Sequence, residues 1–115
     1  MKLRIVSFLA AALLAALPLA APADAPAAAT AGPTVHIKNF MFVPATLTVA
    51  PGTTVTFVND DDEPHTVTST VKSFDSEGLD THQTFTQTFA KPGAFMYFCE
   101  IHPYMHGTVI VKAAR

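Results

Sequence analysis

Between Thr34 and Lys112 the chain alternates apolar and polar residues in short bursts, each closed by a turn signal. "TVHIKNF" sets Val35, Ile37 and Asn39 against His36 and Lys38. "TLTVAPGTTVTFVN" aligns Leu47 and Val49, turns at Pro51-Gly52, and resumes with Val55 and Phe57 against outward threonines. "HTVTSTV", "QTFTQTF", "GAFMYF" and "GTVIVK" continue in the same style. Successive side chains of a strand point to opposite faces, so this period buries one face and wets the other. Thr, Val and Phe suit such pleated, half-buried surfaces. Turn residues recur at Pro44, Pro51-Gly52, Asp60 to Pro64, Glu77-Gly78, Lys91-Pro92-Gly93 and Gly107. The pattern predicts an all-β sandwich or barrel of short strands, mixed or antiparallel. The stretch from Val71 to Gln83 is the least regular, and is expected to be a long connection crossing between the sheets.

The front of the chain is of another kind. Lys2 and Arg4 precede an apolar run from Ile5 to Ala21, interrupted only by Ser7 and Pro18, and "APA" follows at residues 21–23. That is the layout of a secretory signal peptide over residues 1–23, with cleavage expected after Ala23. A membrane span needs about 20 apolar residues and Pro18 breaks this run early, although a retained anchor is the alternative. No cysteine lies near the boundary, which excludes a lipid-modified bacterial anchor. Residues 24–33 are rich in Ala and Pro and read as a linker. Residues 34–115 then form one small domain, near the low end of what a single core stabilises unaided. The chain has one cysteine, so no internal disulfide can help, and a bound metal would be a natural further source of stability. The full chain carries a net charge of −2; without Lys2 and Arg4, five Lys and Arg face nine Asp and Glu, giving −4. Nucleic acid calls for a basic face, so it is not an expected partner.

The cysteine lies in "YFCEIHPYMHG", residues 97–107. Cys99 ends an apolar strand-like run, His102 follows three positions on, and Met105 three beyond that. Ligands every third residue on one tight loop can curl around a single ion. Thiolate and thioether are soft donors and imidazole is intermediate, a set that favours copper; two imidazoles, a thiolate and a weak axial thioether make a blue-copper site. The second imidazole must come from elsewhere. His65 is the best candidate, because it follows Pro64 at the end of an acidic turn and starts the segment "HTVTST". Pro64 has a fixed φ and no N–H, which helps to hold that ligand in place.

"PHTV" around His65 and "PGAFMYFCEIHPYMHGTVIV" from Pro92 to Val111 resemble the cupredoxins, the small blue copper proteins, and within them the amicyanin, plastocyanin and pseudoazurin group. The short C-x-x-H-x-x-M spacing is that of amicyanins. The resemblance runs from about Val35 to Lys112 and implies a Greek-key β-sandwich or barrel of about seven to eight short strands. It implies one copper ion cycling between Cu(I) and Cu(II), with His65, Cys99 and His102 as strong ligands and Met105 as the long axial one. Many relatives carry an Asn after the first histidine and a Thr or Ser after the cysteine, and the two tie the ligand loops together by a hydrogen bond. Here those positions hold Thr66 and Glu100. A Thr66–Glu100 link is open, and a carboxylate near the site would favour Cu(II) and lower the potential.

The implied function is a one-electron carrier, exported to the periplasm and monomeric, exchanging electrons with a cytochrome, dehydrogenase or reductase. Four protein ligands leave no open position for substrate, unlike a catalytic metal site, so the chain is not expected to be an enzyme. A copper-delivery protein is the competing class, but such sites are Met- and His-rich, and only Met41, Met96 and Met105 follow the leader. Docking is expected at the His102 end, among Ile101, Pro103, Tyr104 and Pro64, which the resembling family uses as an uncharged contact patch. His36 is expected to face solvent, His106 to point away from the metal, and His82 has no evident partner. The acidic run from Asp60 to Glu63 reads as a solvated turn, or as a docking patch for a basic partner.

Overall fold

The structure is a computed structural model that describes residues 32–113. The expected signal peptide and all but the last two residues of the linker lie outside the described residues. Eight strands are present among the described residues: β1 (Thr34–Lys38), β2 (Met41–Val43), β3 (Thr46–Val49), β4 (Thr53–Asn59), β5 (Thr68–Ser69), β6 (Thr84–Phe89), β7 (Gly93–Phe98) and β8 (His106–Val111). They form two four-stranded sheets, in the orders β2-β1-β4-β6 and β3-β8-β7-β5. The β1–β4 and β3–β8 pairs are parallel and the others antiparallel. The chain changes sheet repeatedly, leaving the first after β2, β4 and β6. Inward residues of both sheets make the core: Val35, Ile37, Val55 and Phe57 on one side, Tyr97, Val109 and Val111 on the other. The expected all-β sandwich is therefore found, and the irregular stretch from Val71 to Gln83 does join β5 of one sheet to β6 of the other.

Two local expectations fail. Asn39 does not continue the β1 alternation. It is exposed, with φ 53°, and Phe40 follows with φ 57°. Together they turn the chain from β1 into β2, with Lys38 opposite Met41. Both central residues of such a tight hairpin need positive φ, which Asn tolerates but a bulky residue adopts only when held. Phe40 is held by Asp61, as described below. The second failure is "HTVTSTV", where only Thr68–Ser69 form a strand. Residues 65–69 are all buried, so no face is left to alternate. The connecting segment folds back over them as a strap: His65 pairs with Leu79 and Thr68 with Asp75 as isolated bridges.

The β7–β8 pair carries one further constraint. Tyr97 lies opposite Gly107. A Cβ at Gly107 would sit 2.2 Å from Tyr97 Cζ and 2.3 Å from its hydroxyl oxygen, so only glycine admits the ring. Phe42 and Phe57 hold the ring from other sides, with edge-on contacts at 4.8 Å and 5.2 Å. Cys99 lies two residues beyond Tyr97, and Met105 two before Gly107. This packing therefore sets the mouth of the loop from Cys99 to Met105.

Candidate metal centre

Both segments that converge on Cys99 are fixed by main-chain bonds. The His65 N–H donates to Leu79 O at 3.1 Å, and the Leu79 N–H returns to His65 O at 2.7 Å. The loop after β7 closes on itself, with Cys99 N–H donating to Met105 O at 3.1 Å and Met105 N–H to His102 O at 2.9 Å. His65 and Cys99 are fully buried, Met105 is 2% exposed, and His102 is partly exposed.

One ligand-type atom from each of His65, Cys99 and His102 lies within 4.8 Å of the others. Cys99 Sγ is 3.8 Å from His65 Nδ1 and 3.7 Å from His102 Nδ1. These separations are too long for useful hydrogen bonds but right for ligands that share an ion. Bonds of roughly 2.0–2.1 Å to nitrogen and 2.3 Å to sulfur, at a trigonal angle of about 120°, put N and S about 3.8 Å apart. The donor set fits a soft or borderline metal. Met105 is the fourth residue of the expected set; the loop's own bonds bring its backbone to the same place as those of Cys99 and His102.

Asp61 completes the His65 side. Its Oδ2 is 2.8 Å from His65 Nε2 and accepts the Phe40 N–H at 3.0 Å, while Oδ1 accepts the Asn39 N–H at 2.7 Å. Since the carboxylate accepts, His65 carries its proton on Nε2 and presents a bare Nδ1 toward Cys99; such a partner fixes tautomer and ring orientation. Burial alone would push the Asp61 carboxyl up, but the hydrogen bonds from Phe40, Asn39 and His65 outweigh it and hold it below the ordinary value. The same three bonds explain how Phe40 keeps its positive φ. Its ring lies edge-on to both imidazoles, at 5.3 Å from His65 and 5.0 Å from His102. Neither Asp61 nor Phe40 was singled out from sequence. Asp61 was hidden in the acidic run, and its position four residues before His65 was the one available hint.

The sulfur has one N–H donor, from Thr66 at 3.3 Å. Thr66 also links the His65 and Cys99 segments, since its Oγ1 accepts the Glu100 N–H at 2.8 Å. The Thr66–Glu100 tie is thus made through the Glu100 backbone, and the exposed Glu100 carboxylate takes no part in that bond. The remaining histidines behave as expected of surface residues. His36 Nδ1 lies 2.6 Å from an Asp60 carboxylate oxygen, while His82 and His106 are exposed. The acidic run divides: Asp60 meets His36, Asp61 turns inward, and Asp62 and Glu63 face solvent.

Comparison with known proteins gives the same picture. Residues 9–111 match the family described as "Cupredoxin-like domain". The chain belongs to the cupredoxins. This cupredoxin is 35% identical over 83 residues to the amicyanin of Paracoccus versutus, an alignment covering 68% of the chain and 63% of that protein's length. Its fold matches a purple cupredoxin from Nitrosopumilus maritimus with TM-score 0.66 and 30% identity, over 69% of this chain and 98% of that one. It also matches the Cu-containing nitrite reductase of Thermus scotoductus, with TM-score 0.68 and 32% identity; 73% of this cupredoxin covers only 23% of that enzyme's chain.

Proposed function

We propose that this cupredoxin is a type 1 copper protein that carries single electrons between periplasmic redox proteins. The observation that carries the reading is the trio of His65 Nδ1, Cys99 Sγ and His102 Nδ1, spaced as ligands of one ion. Copper, when bound, supplies the one-electron couple. The protein's part is to keep the donors still. Asp61 holds the His65 ring, the Thr66 N–H sits on the Cys99 sulfur, and the 99–105 loop is closed by its own backbone. Donors fixed in this way need little rearrangement when an electron arrives or leaves. Met105 serves as the weak axial ligand, and such a ligand tunes potential more than affinity.

Electrons enter and leave by the His102 edge. His102 is partly exposed and is ringed by exposed Ile101, Pro103 and Tyr104, with Phe40 and Met41 beside them. These uncharged side chains suit brief, weak docking by a cytochrome, dehydrogenase or reductase. The domain works as a monomer after export by its leader. Two results test the reading: the purified domain binds one copper per chain with an intense visible thiolate-to-copper band, and Cys99→Ala abolishes the band. A Cys99→Ala protein that keeps the band refutes it. With the spectrum intact, Tyr104→Glu slows electron exchange; an unchanged rate refutes the port.

A further inference from the structure

Behind Cys99 a line of polar groups runs from the ligand loop to an exposed carboxylate. We propose that Thr66, Thr68 and Asp75 form a one-way hydrogen-bond relay that positions the donor on the Cys99 sulfur and couples the Asp75 carboxylate to the metal centre. The inference rests on the copper reading above.

The direction of the relay follows from donor counting. Asp75 Oδ1 accepts the Glu77 N–H at 2.8 Å and lies 3.2 Å from Thr68 Oγ1. An ionised carboxylate only accepts, and a hydroxyl has a single proton. The Thr68 proton is therefore committed to Asp75. The 2.9 Å contact between Thr68 Oγ1 and Thr66 Oγ1 must then carry the Thr66 proton. That leaves the lone pairs of Thr66 free for the Glu100 N–H, at 2.8 Å. The sequence of donation is Glu100 N–H to Thr66, Thr66 to Thr68, Thr68 to Asp75, with no second arrangement.

Both threonines are buried, so each hydroxyl needs its partners. The strap holds Asp75 in place: Thr68 and Asp75 form a bridge, Ser69 N–H donates to Phe74 O at 2.9 Å, and Ser76 N–H to Val67 O at 3.0 Å. At the other end Thr66 grips two successive residues. Its N–H points at Cys99 Sγ and its Oγ1 receives the next N–H along the chain. Holding Glu100 therefore fixes the distance from the Thr66 N–H to the sulfur. Hydrogen bonds in line polarise one another, so the anion at the far end strengthens the grip. Without it, Thr68 can turn its proton toward Thr66, the direction of donation is no longer fixed, and the polarisation that strengthens the Glu100 N–H bond is lost. Thr66, Thr68 and Asp75 act here as positioning residues.

The test is a double-mutant cycle on the copper-loaded protein, Thr66→Val crossed with Asp75→Ala, read as the midpoint potential. Asp75→Ala should shift the potential when Thr66 is present and lose most of that shift in the Thr66→Val background. Thr66→Ser, which keeps the hydroxyl, should stay near the parent value. An equal shift in both backgrounds means that the Asp75 charge acts through space, and overturns the relay; so does no shift in either. A second readout needs no copper and no Thr66 variant. In the copper-free protein, Asp75→Ala should speed amide hydrogen exchange at Glu100, and unchanged exchange there overturns the relay. If the parent protein takes up no copper, the copper reading fails, and the exchange measurement still decides the relay.

Discussion

Replacing Asp61 by Ala removes a single carboxylate and three hydrogen bonds at once. The three donors are the N–H groups of Asn39 and Phe40 and the His65 Nε2, at 2.7, 3.0 and 2.8 Å. Bonds to a charged group contribute roughly 1.5–3 kcal/mol each, which sets an upper range. The Asn39 and Phe40 amides lie at an exposed turn and can turn to water, so much of that range is not lost. Asn39 and Phe40 are also held at positive φ, a conformation that costs about 1–3 kcal/mol per residue, and its relaxation in the variant returns part of the loss. A net loss of about 3 kcal/mol is expected for the copper-free domain. For a domain of this size that lowers Tm by roughly 12–24 °C. Asp61→Asn should not rescue it. An amide offers one accepting oxygen and turns an NH2 group toward a site filled with donors. Thermal unfolding of the copper-free proteins near neutral pH, followed by circular dichroism, measures the effect. A Tm within a few degrees of the parent, or full rescue by Asn, would refute the reasoning. The difference also has a pH signature. The folded-state pKa of Asp61 is depressed, so its contribution is complete above the ordinary value of 3.8 and is lost as the pH falls through the lower folded value. The gap between parent and Asp61→Ala should therefore narrow in acid, and a gap that stays constant at low pH would contradict the assignment.

Gly107→Ala places a methyl group 2.2 Å from the Tyr97 ring, so it should destabilise the domain by at least about 1–3 kcal/mol, and a Tm like the parent's would show that the ring moves freely. Tyr97→Phe should leave stability unchanged or raise it by up to about 1 kcal/mol, because the buried hydroxyl has no hydrogen-bond partner among the described residues; a large loss in denaturant unfolding would contradict this. Met105→Leu should keep copper and raise the midpoint potential, and Met105→Gln should keep copper and lower it. Loss of copper from both variants, measured by metal analysis after dialysis, would refute an axial role.

The sandwich was legible because most strands bury one face, and burial of one face is what period-two alternation records. The alternation fails where both faces are covered, and that is why residues 65–69 looked like a full strand and form only a short one. The β1–β2 hairpin was illegible for another reason. Asn39-Phe40 lacks the glycine that such a turn prefers, and its support comes from a carboxylate more than twenty residues away. The closeness of Cys99, His102 and Met105 was easy to read, since a loop of that length keeps its residues together whatever the rest of the chain does. The supports around them were not. The tie between the ligand segments uses the backbone N–H of Glu100, a group that every residue except proline carries, so the side-chain letter pointed to a carboxylate that takes no part in it. Asp61 looked like any residue of an acidic turn until the fold placed it beside His65.

An anomalous-difference map at the copper edge, from crystals of the copper-loaded domain, tests the ligand set most directly. The expected result is one peak per chain, bonded to His65 Nδ1, Cys99 Sγ and His102 Nδ1, with the Met105 sulfur facing it at a longer distance. A peak away from Cys99, or a Met105 sulfur turned from the metal, would contradict it.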